Sequence, residues 1–445
     1  MYGDRDPKVM PVDNPTVPLQ TKFNLLQVKG TWVRQSEDDQ VTKGKLSDAK
    51  IYERKSDHGV SWTVVSPIIF TYKVIQCENS LDPRNDTLLW GHLDNEDLNN
   101  SSTAKPQPVK RFVVIDETVR QLYGARVREY FDARQVVYKI LPLPTTEENK
   151  SLELVTKILQ EVHDFNIDRR SEPIIAIGGG VCLDVVGLAA SLYRRRTPYI
   201  RVPTTLLAYV DASVGAKTGV NFAGGKNKLG SYVPPIATFL DRSFFQTLPP
   251  RQLSNGMAEI LKMALMKHRG LFELLEAEGS HLLESKLQSS DAASACTRVA
   301  IETMLEELAP NLWEDDLDRL VDFGHLISPQ LEMKVLPALL HGEAVNIDMC
   351  FMVYLSHLRG LLSVEEKGRV VRCMQGLHLP LWHQDCTLDL IHRSLSERLK
   401  HSGGSLRMPL PTGLGQAEIF HDIIEEDVLS RAHQMWTSEL SPNLK

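Results

Sequence analysis

The stretch "PIIAIGGGVCLDVVGLAASLYRRR", residues 173–196, runs from a short apolar segment through three consecutive glycines into helical apolar spacing. The apolar segment reads as a buried strand and the part after Gly180 as a helix. Glycines at such a junction let backbone amides approach a pyrophosphate at the helix N-terminus. The spacing is not GxGxxG, because Leu183 stands where a third glycine would be. A tight strand–helix turn uses glycines as readily, so the neighbouring segments must decide.

They repeat the pattern. "RFVVID" (111–116), "VVYKILPL" (136–143) and "PYIRVPTT" (198–205) are strand-like runs, and "TTEENKSLELVTKILQEVHDF" has helical spacing. Such alternation predicts an α/β domain with a Rossmann-like parallel sheet covered on both faces. Asp116 and Glu147 follow the first two of these strands, where ribose hydroxyls are usually read. Either acid alone is as easily a solvated loop residue; three features at successive strand ends favour a nucleotide. Upstream, "VSWTVVSPIIFTYKVIQ" (60–76) is β-branched and aromatic and predicts one or two strands, whereas 92–110 is a polar excursion. From about residue 250 the periodicity becomes helical. The expected division is a flexible extension at 1–60, an NAD-binding α/β domain at 61–248, a mostly α-helical metal- and substrate-binding domain at 249–430, and a tail at 431–445.

With 42% apolar and 24% charged residues and a net charge of -7, the 445-residue chain has the composition of a soluble protein, and nothing suggests a nucleic-acid partner. Its six cysteines show no CxxC pairing and read as reduced thiols. No apolar run reaches the length of a membrane span, and the first residues lack a signal-peptide core. A cytoplasmic protein without a membrane partner is expected.

"DFGHLISPQLEMKVLPALLHGEAVNIDM" (322–349) holds His325 and His341, each beside a glycine, and "GMAEILKMAL" puts Glu259 and Lys262 on one helical face. One carboxylate and two imidazoles make an open zinc site. Core histidines and a surface salt bridge remain the other readings at this point. "PTTLLAYVDASVGAKTGVNFAGGKNKLGSY" (203–232) places Asp211, Lys217, Lys226 and Asn227 among glycines. Lysines on such a loop suit a phosphorylated substrate, and the order is not that of a P-loop.

Taken together, "IGGGVCLDVVGLAASLYRRR", "VPTTLLAYVDASVGAKTGVN", "GGKNKLG", "TLPPRQLSNGMAEILK", "DFGH" and "LHGEAV" resemble the sugar phosphate cyclase superfamily, the 3-dehydroquinate synthase-like proteins, from about 110 to 412. The resemblance implies zinc (with cobalt as a substitute) on Glu259, His325 and His341. It implies NAD on Asp116, Glu147, Lys150, Gly179, Gly180, Asp184, Thr204, Thr205, Leu207, Phe244, Thr247 and Leu248. Asp211, Lys217, Lys262, Glu314 and Asp322 fall at catalytic positions. Lys226, Asn227, Asp318 and Lys400 fall at substrate positions, and Arg195 at that of an arginine donated across a homodimer.

Quinate-forming members carry arginine, asparagine, lysine and histidine where this chain has Asp318, Asp322, Met304 and Pro329. Two acids about 4–5 Å from a substrate carboxylate would cost on the order of 3–4 kcal/mol at an effective dielectric near 20. A neutral-headed sugar phosphate is therefore expected. The aspartate–proline pattern resembles the sedoheptulose 7-phosphate cyclases. That implies cyclisation to 2-epi-5-epi-valiolone with loss of phosphate, a step towards gadusol-type or other C7-cyclitol products. Another cyclase, a polyol phosphate dehydrogenase and a binding protein are the competing expectations.

Overall fold

The computed structural model describes residues 50–56, 59–66, 68–93, 109–288, 290–401 and 403–441. Its strands are β1 (Lys50–Ser56), β2 (Gly59–Val65), β3 (Lys73–Cys77), β4 (Lys110–Asp116), β5 (Val137–Leu143), β6 (Ile174–Gly178), β7 (Tyr199–Pro203), β8 (Lys217–Phe222), β9 (Gly225–Tyr232), β10 (Ala237–Asp241), β11 (Met408–Gly413) and β12 (Gln416–Phe420). Six form a parallel sheet in the order β3-β10-β7-β6-β4-β5.

Alternation along each apolar run buries both faces of that sheet. From β4, Phe112 and Val114 pack towards α2 (Leu152–Phe165) and α3 (Gly180–Leu192), while Val113 and Ile115 pack towards α1 (Glu117–Ala133). β4 lies between β5 and β6, so the connections diverge at that strand. A crevice at such a switch point, above Asp116 and Gly178, is where open α/β sheets bind ligands.

The remainder is built from α4 (Pro250–Lys267), α5 (Arg269–Glu284), α6 (Asp291–Leu308), α7 (Ser328–Val335), α8 (His341–Leu358), α9 (Val364–Gly376), α10 (Leu388–His401) and α11 (Glu426–Leu440). α4 is buried without a break from Leu253 to Met266, and α8 from Gly342 to Ser356. No helix among the described residues is long and apolar enough to cross a membrane.

Four expectations need correction. Residues 50–56, assigned to the extension, pair antiparallel with β2. The glycine-rich loop contains a β8–β9 ribbon, closed so tightly that a Cβ on Gly230 would lie 2.2 Å from the Thr218 carbonyl oxygen. β11 and β12 form a hairpin inside the helical region, where Pro409 and Pro411 disguise a strand. The supposed tail belongs mostly to α11, whose Leu429, Ala432 and Trp436 share one buried face. The Trp436 indole N–H donates to the Leu381 carbonyl at 2.9 Å. The expected extension at 1–49, the polar excursion at 94–108 and the tail beyond 441 lie outside the described residues.

Candidate active site

Three segments meet at the metal-ligand candidates. Glu259 lies inside α4, His341 opens α8, and His325 follows a turn whose Gly324 has φ +75°, a conformation that favours glycine. The two helices approach backbone to backbone at Gly342, whose N–H donates to Asn255 Oδ1 at 2.7 Å. Ligand atoms of Glu259, His325 and His341 lie within 4.8 Å of one another. His341 Nε2 is 3.8 Å from Glu259 Oε1, and the imidazoles are 5.4 Å apart.

The cluster fits a divalent cation on its own chemistry. Glu259 is 1% exposed; the Lys262 ammonium touches its Oε2, and Oε1 has no hydrogen-bond partner. A buried carboxylate oxygen facing two imidazoles is costly unless something positive sits between them. Burial, with the Lys262 ammonium and the other imidazole, holds His325 well below the usual histidine range and keeps its ring neutral, as a ligand must be.

Cations and acids surround this centre in a fixed network. Burial works against the Lys262 ammonium, but Glu259, Asp211 and Asp322 outweigh it and raise its pKa. From the β8–β9 ribbon, Lys226 Nζ reaches Glu332 Oε2 at 2.5 Å and lies 3.0 Å from His341 Nδ1. Lys217 pairs with Glu314, which also contacts Arg319 and accepts from the Tyr232 hydroxyl at 2.9 Å. Asp322 accepts from Arg319 at 2.6 Å and Arg398 at 2.5 Å; although burial alone would raise it, those guanidiniums hold its carboxyl well below the usual range.

The expected acidic wall is therefore corrected. Asp322 is neutralised by two arginines, and Asp318 is exposed and bound to Arg407 at 3.0 Å and His421 at 3.3 Å. Neither acid is free to repel a substrate carboxylate by the amount the sequence suggested.

At the sheet crevice, Gly179 precedes α3 and no side chain caps that helix, so its first amides face outward as an anion would need. The Thr204 hydroxyl is buried and has no partner, a second sign that a ligand completes the site. Asp116 is largely occupied: Oδ1 caps α1 through the Thr118 and Val119 amides, and Oδ2 accepts from Thr145 at 2.6 Å. Glu147 accepts from Asn221, while the buried Lys150 donates to Asp184 at 2.6 Å and Asn227 at 2.7 Å. Thr205 and Leu207 are half-buried on the turn after β7. Phe244 is 2% exposed and packs against Tyr123, whose hydroxyl engages Thr247; Leu248 follows, half-buried. Arg195 and Lys400 are exposed, Arg195 with φ 62°.

Sequence reading missed Glu332, Arg319 and Arg398. Glu332 had a signal, an acid on a short helix between the two histidines. The arginines had none, because their importance comes from the acids they face, Asp322 for both and Glu314 for Arg319.

A family model for the 3-dehydroquinate synthase N-terminal region matches residues 140–255, and one for the C-terminal region matches 256–401. A 2-epi-5-epi-valiolone synthase from Streptomyces hygroscopicus subsp. jinggangensis is 44% identical over 85% of this chain and 91% of its own. A demethyl-4-deoxygadusol synthase from Trichormus variabilis is 37% identical over 71% and 78%. The solved structure of the synthase ValA from that Streptomyces, with NAD+ and Zn2+ bound, superposes with a TM-score of 0.78 at 43% identity, covering 85% of this chain and all of the other. The chain belongs to the 3-dehydroquinate synthase family of sugar phosphate cyclases.

Proposed function

We propose that this protein converts sedoheptulose 7-phosphate into 2-epi-5-epi-valiolone and phosphate with NAD and zinc, feeding gadusol-type or other C7-cyclitol synthesis. The reading is carried by the buried Glu259 carboxylate, with an unsatisfied oxygen, facing two imidazoles in a chain 44% identical to a synthase of that name. When bound, NAD+ takes up and returns a hydride, and zinc lends Lewis acidity to the substrate hydroxyls.

The chain's own groups do the rest. Lys217, Lys226 and Asn227, with Arg195 from a second copy, hold the phosphate as it leaves by β-elimination. Lys262 holds a proton at Nζ beside the hydroxyl to be oxidised, and Asp211 orients it. Glu314 and Asp322, clamped by Arg319, present fixed acceptors, and Lys400 binds the substrate. Lys150, Asp184, Thr204 and Thr205 hold the dinucleotide with the Gly179–Gly180 amides.

A neutral head is favoured by missing cations rather than by surplus acid. Met304 is buried among apolar residues, Pro329 sits in the first turn of α7, and Arg319 and Arg398 are already paired with Asp322. A substrate carboxylate there would lack a partner, which is costly in a dry site.

The active form is a cytoplasmic homodimer, split after Leu248 into NAD-binding and metal-binding halves; the unpaired cysteines among the described residues agree with a reducing compartment. Incubation with sedoheptulose 7-phosphate, NAD+ and zinc, followed by NMR of the product, tests the reading. A 2-epi-5-epi-valiolone spectrum supports it; another epimer, a deoxy ring or an uncyclised ketone refutes it.

A further inference from the structure

We propose that Glu332 is the positioning residue of the metal site, fixing His341 in the tautomer that leaves Nε2 open to the cation; this rests on the zinc reading above. Glu332 is 2% exposed, and its Oε2 lies 2.9 Å from His341 Nδ1 and 2.5 Å from Lys226 Nζ. Its helix is anchored, since Asp348 on α8 accepts from the Ile327 amide at 2.6 Å and the Ser328 amide at 2.9 Å at the start of α7.

Two arrangements compete at His341. In one, Nδ1 carries the proton and donates to Glu332, so the Nε2 lone pair faces Glu259 and is free to bind a cation. In the other, Nδ1 accepts from Lys226, 3.0 Å away, and Nε2 carries the proton and cannot be a ligand. An ionised carboxylate only accepts, so Glu332 selects the first arrangement and holds Lys226 back from Nδ1. The backbone does the same for His325, whose Nδ1 lies 3.2 Å from the Phe323 carbonyl oxygen. Without Glu332 the lysine becomes the sole partner of Nδ1, and the loss exceeds one hydrogen bond.

Zinc affinity is measured by chelator competition without substrate, alongside thermal unfolding of the metal-free proteins. Glu332→Ala is expected to weaken zinc binding by about 10–100-fold, and the isosteric Glu332→Gln by less. Adding Lys226→Met to Glu332→Ala should restore part of the affinity, which a merely structural role of Glu332 would not do. Zinc affinity within twofold of the parent in Glu332→Gln and Glu332→Ala, or no recovery in the double variant, overturns the proposal. If Glu332→Ala does not fold, Glu332→Gln decides alone. A parent that binds no zinc refutes the zinc reading itself.

Discussion

Gly342→Ala should empty the metal site without unfolding the protein. A Cβ at this position would lie 2.0 Å from the Asn255 carbonyl oxygen, 2.9 Å from its Oδ1 and 3.0 Å from its carbonyl carbon. Ordinary contact begins at 3.4 Å, so the start of α8 must retreat by about 1.4 Å, the difference between 3.4 and 2.0. That movement breaks the 2.7 Å bond from the Gly342 amide and carries His341 away from Glu259. Overpacking costs about 1–3 kcal/mol and the lost bond about 1 kcal/mol, which a chain with this core can survive. Metal coordination tolerates only about 0.2 Å, so zinc affinity should fall by about 100-fold or more. Gly376→Ala is the control, because a Cβ there meets nothing within 4 Å, and its effect should stay within about 0.5 kcal/mol. Chelator competition and calorimetry read the two effects separately. Parent-like zinc affinity in Gly342→Ala would refute the claim that this contact places His341.

Burial pushes the Asp348 carboxyl up to about 6, so the folded metal-free protein keeps its proton longer than the unfolded chain does. Its contribution to stability should be fullest below about pH 4, decline as pH rises through about 6 and then level off, about 3 kcal/mol in all. Asp348→Asn removes that decline in urea titrations; equal slopes for both proteins would contradict it. Arg398→Leu leaves Asp322 with Arg319 alone, and the loss of a charge-assisted bond of about 1.5–3 kcal/mol should lower kcat/KM by about 10-fold or more; an unchanged value removes Asp322 from the site. Trp436→Ala should destabilise the protein by about 3–5 kcal/mol, seen as a lower urea midpoint, whereas a true tail would show no change.

How far the sequence alone reached depends on whether a signal was local. β4, β6 and β7 were readable because their apolar runs are buried on both faces, and the Gly178–Gly180 turn marked the sheet's switch point, whereas the five-residue β10 was missed. Glu259, His325 and His341 were nameable from residue type and family motif, yet their convergence depends on Gly342 meeting Asn255 across 87 residues. The β8–β9 ribbon was hidden by its glycines, and the β11–β12 hairpin by its prolines. The charges of Asp318 and Asp322 misled for a different reason. Formal charge is visible in a sequence, but the arginines that cancel it come from α10, from the residue just before β11 and from Arg319 three residues before Asp322.

The most direct test of a cation set beside a recycled nicotinamide is to follow phosphate release and absorbance at 340 nm together, with NAD+ far below the concentration of sedoheptulose 7-phosphate. The account predicts one phosphate per substrate consumed, no accumulation of NADH, and loss of both turnover and product when zinc is chelated. NADH rising in step with substrate consumption, or full phosphate release from the metal-stripped protein, would contradict it.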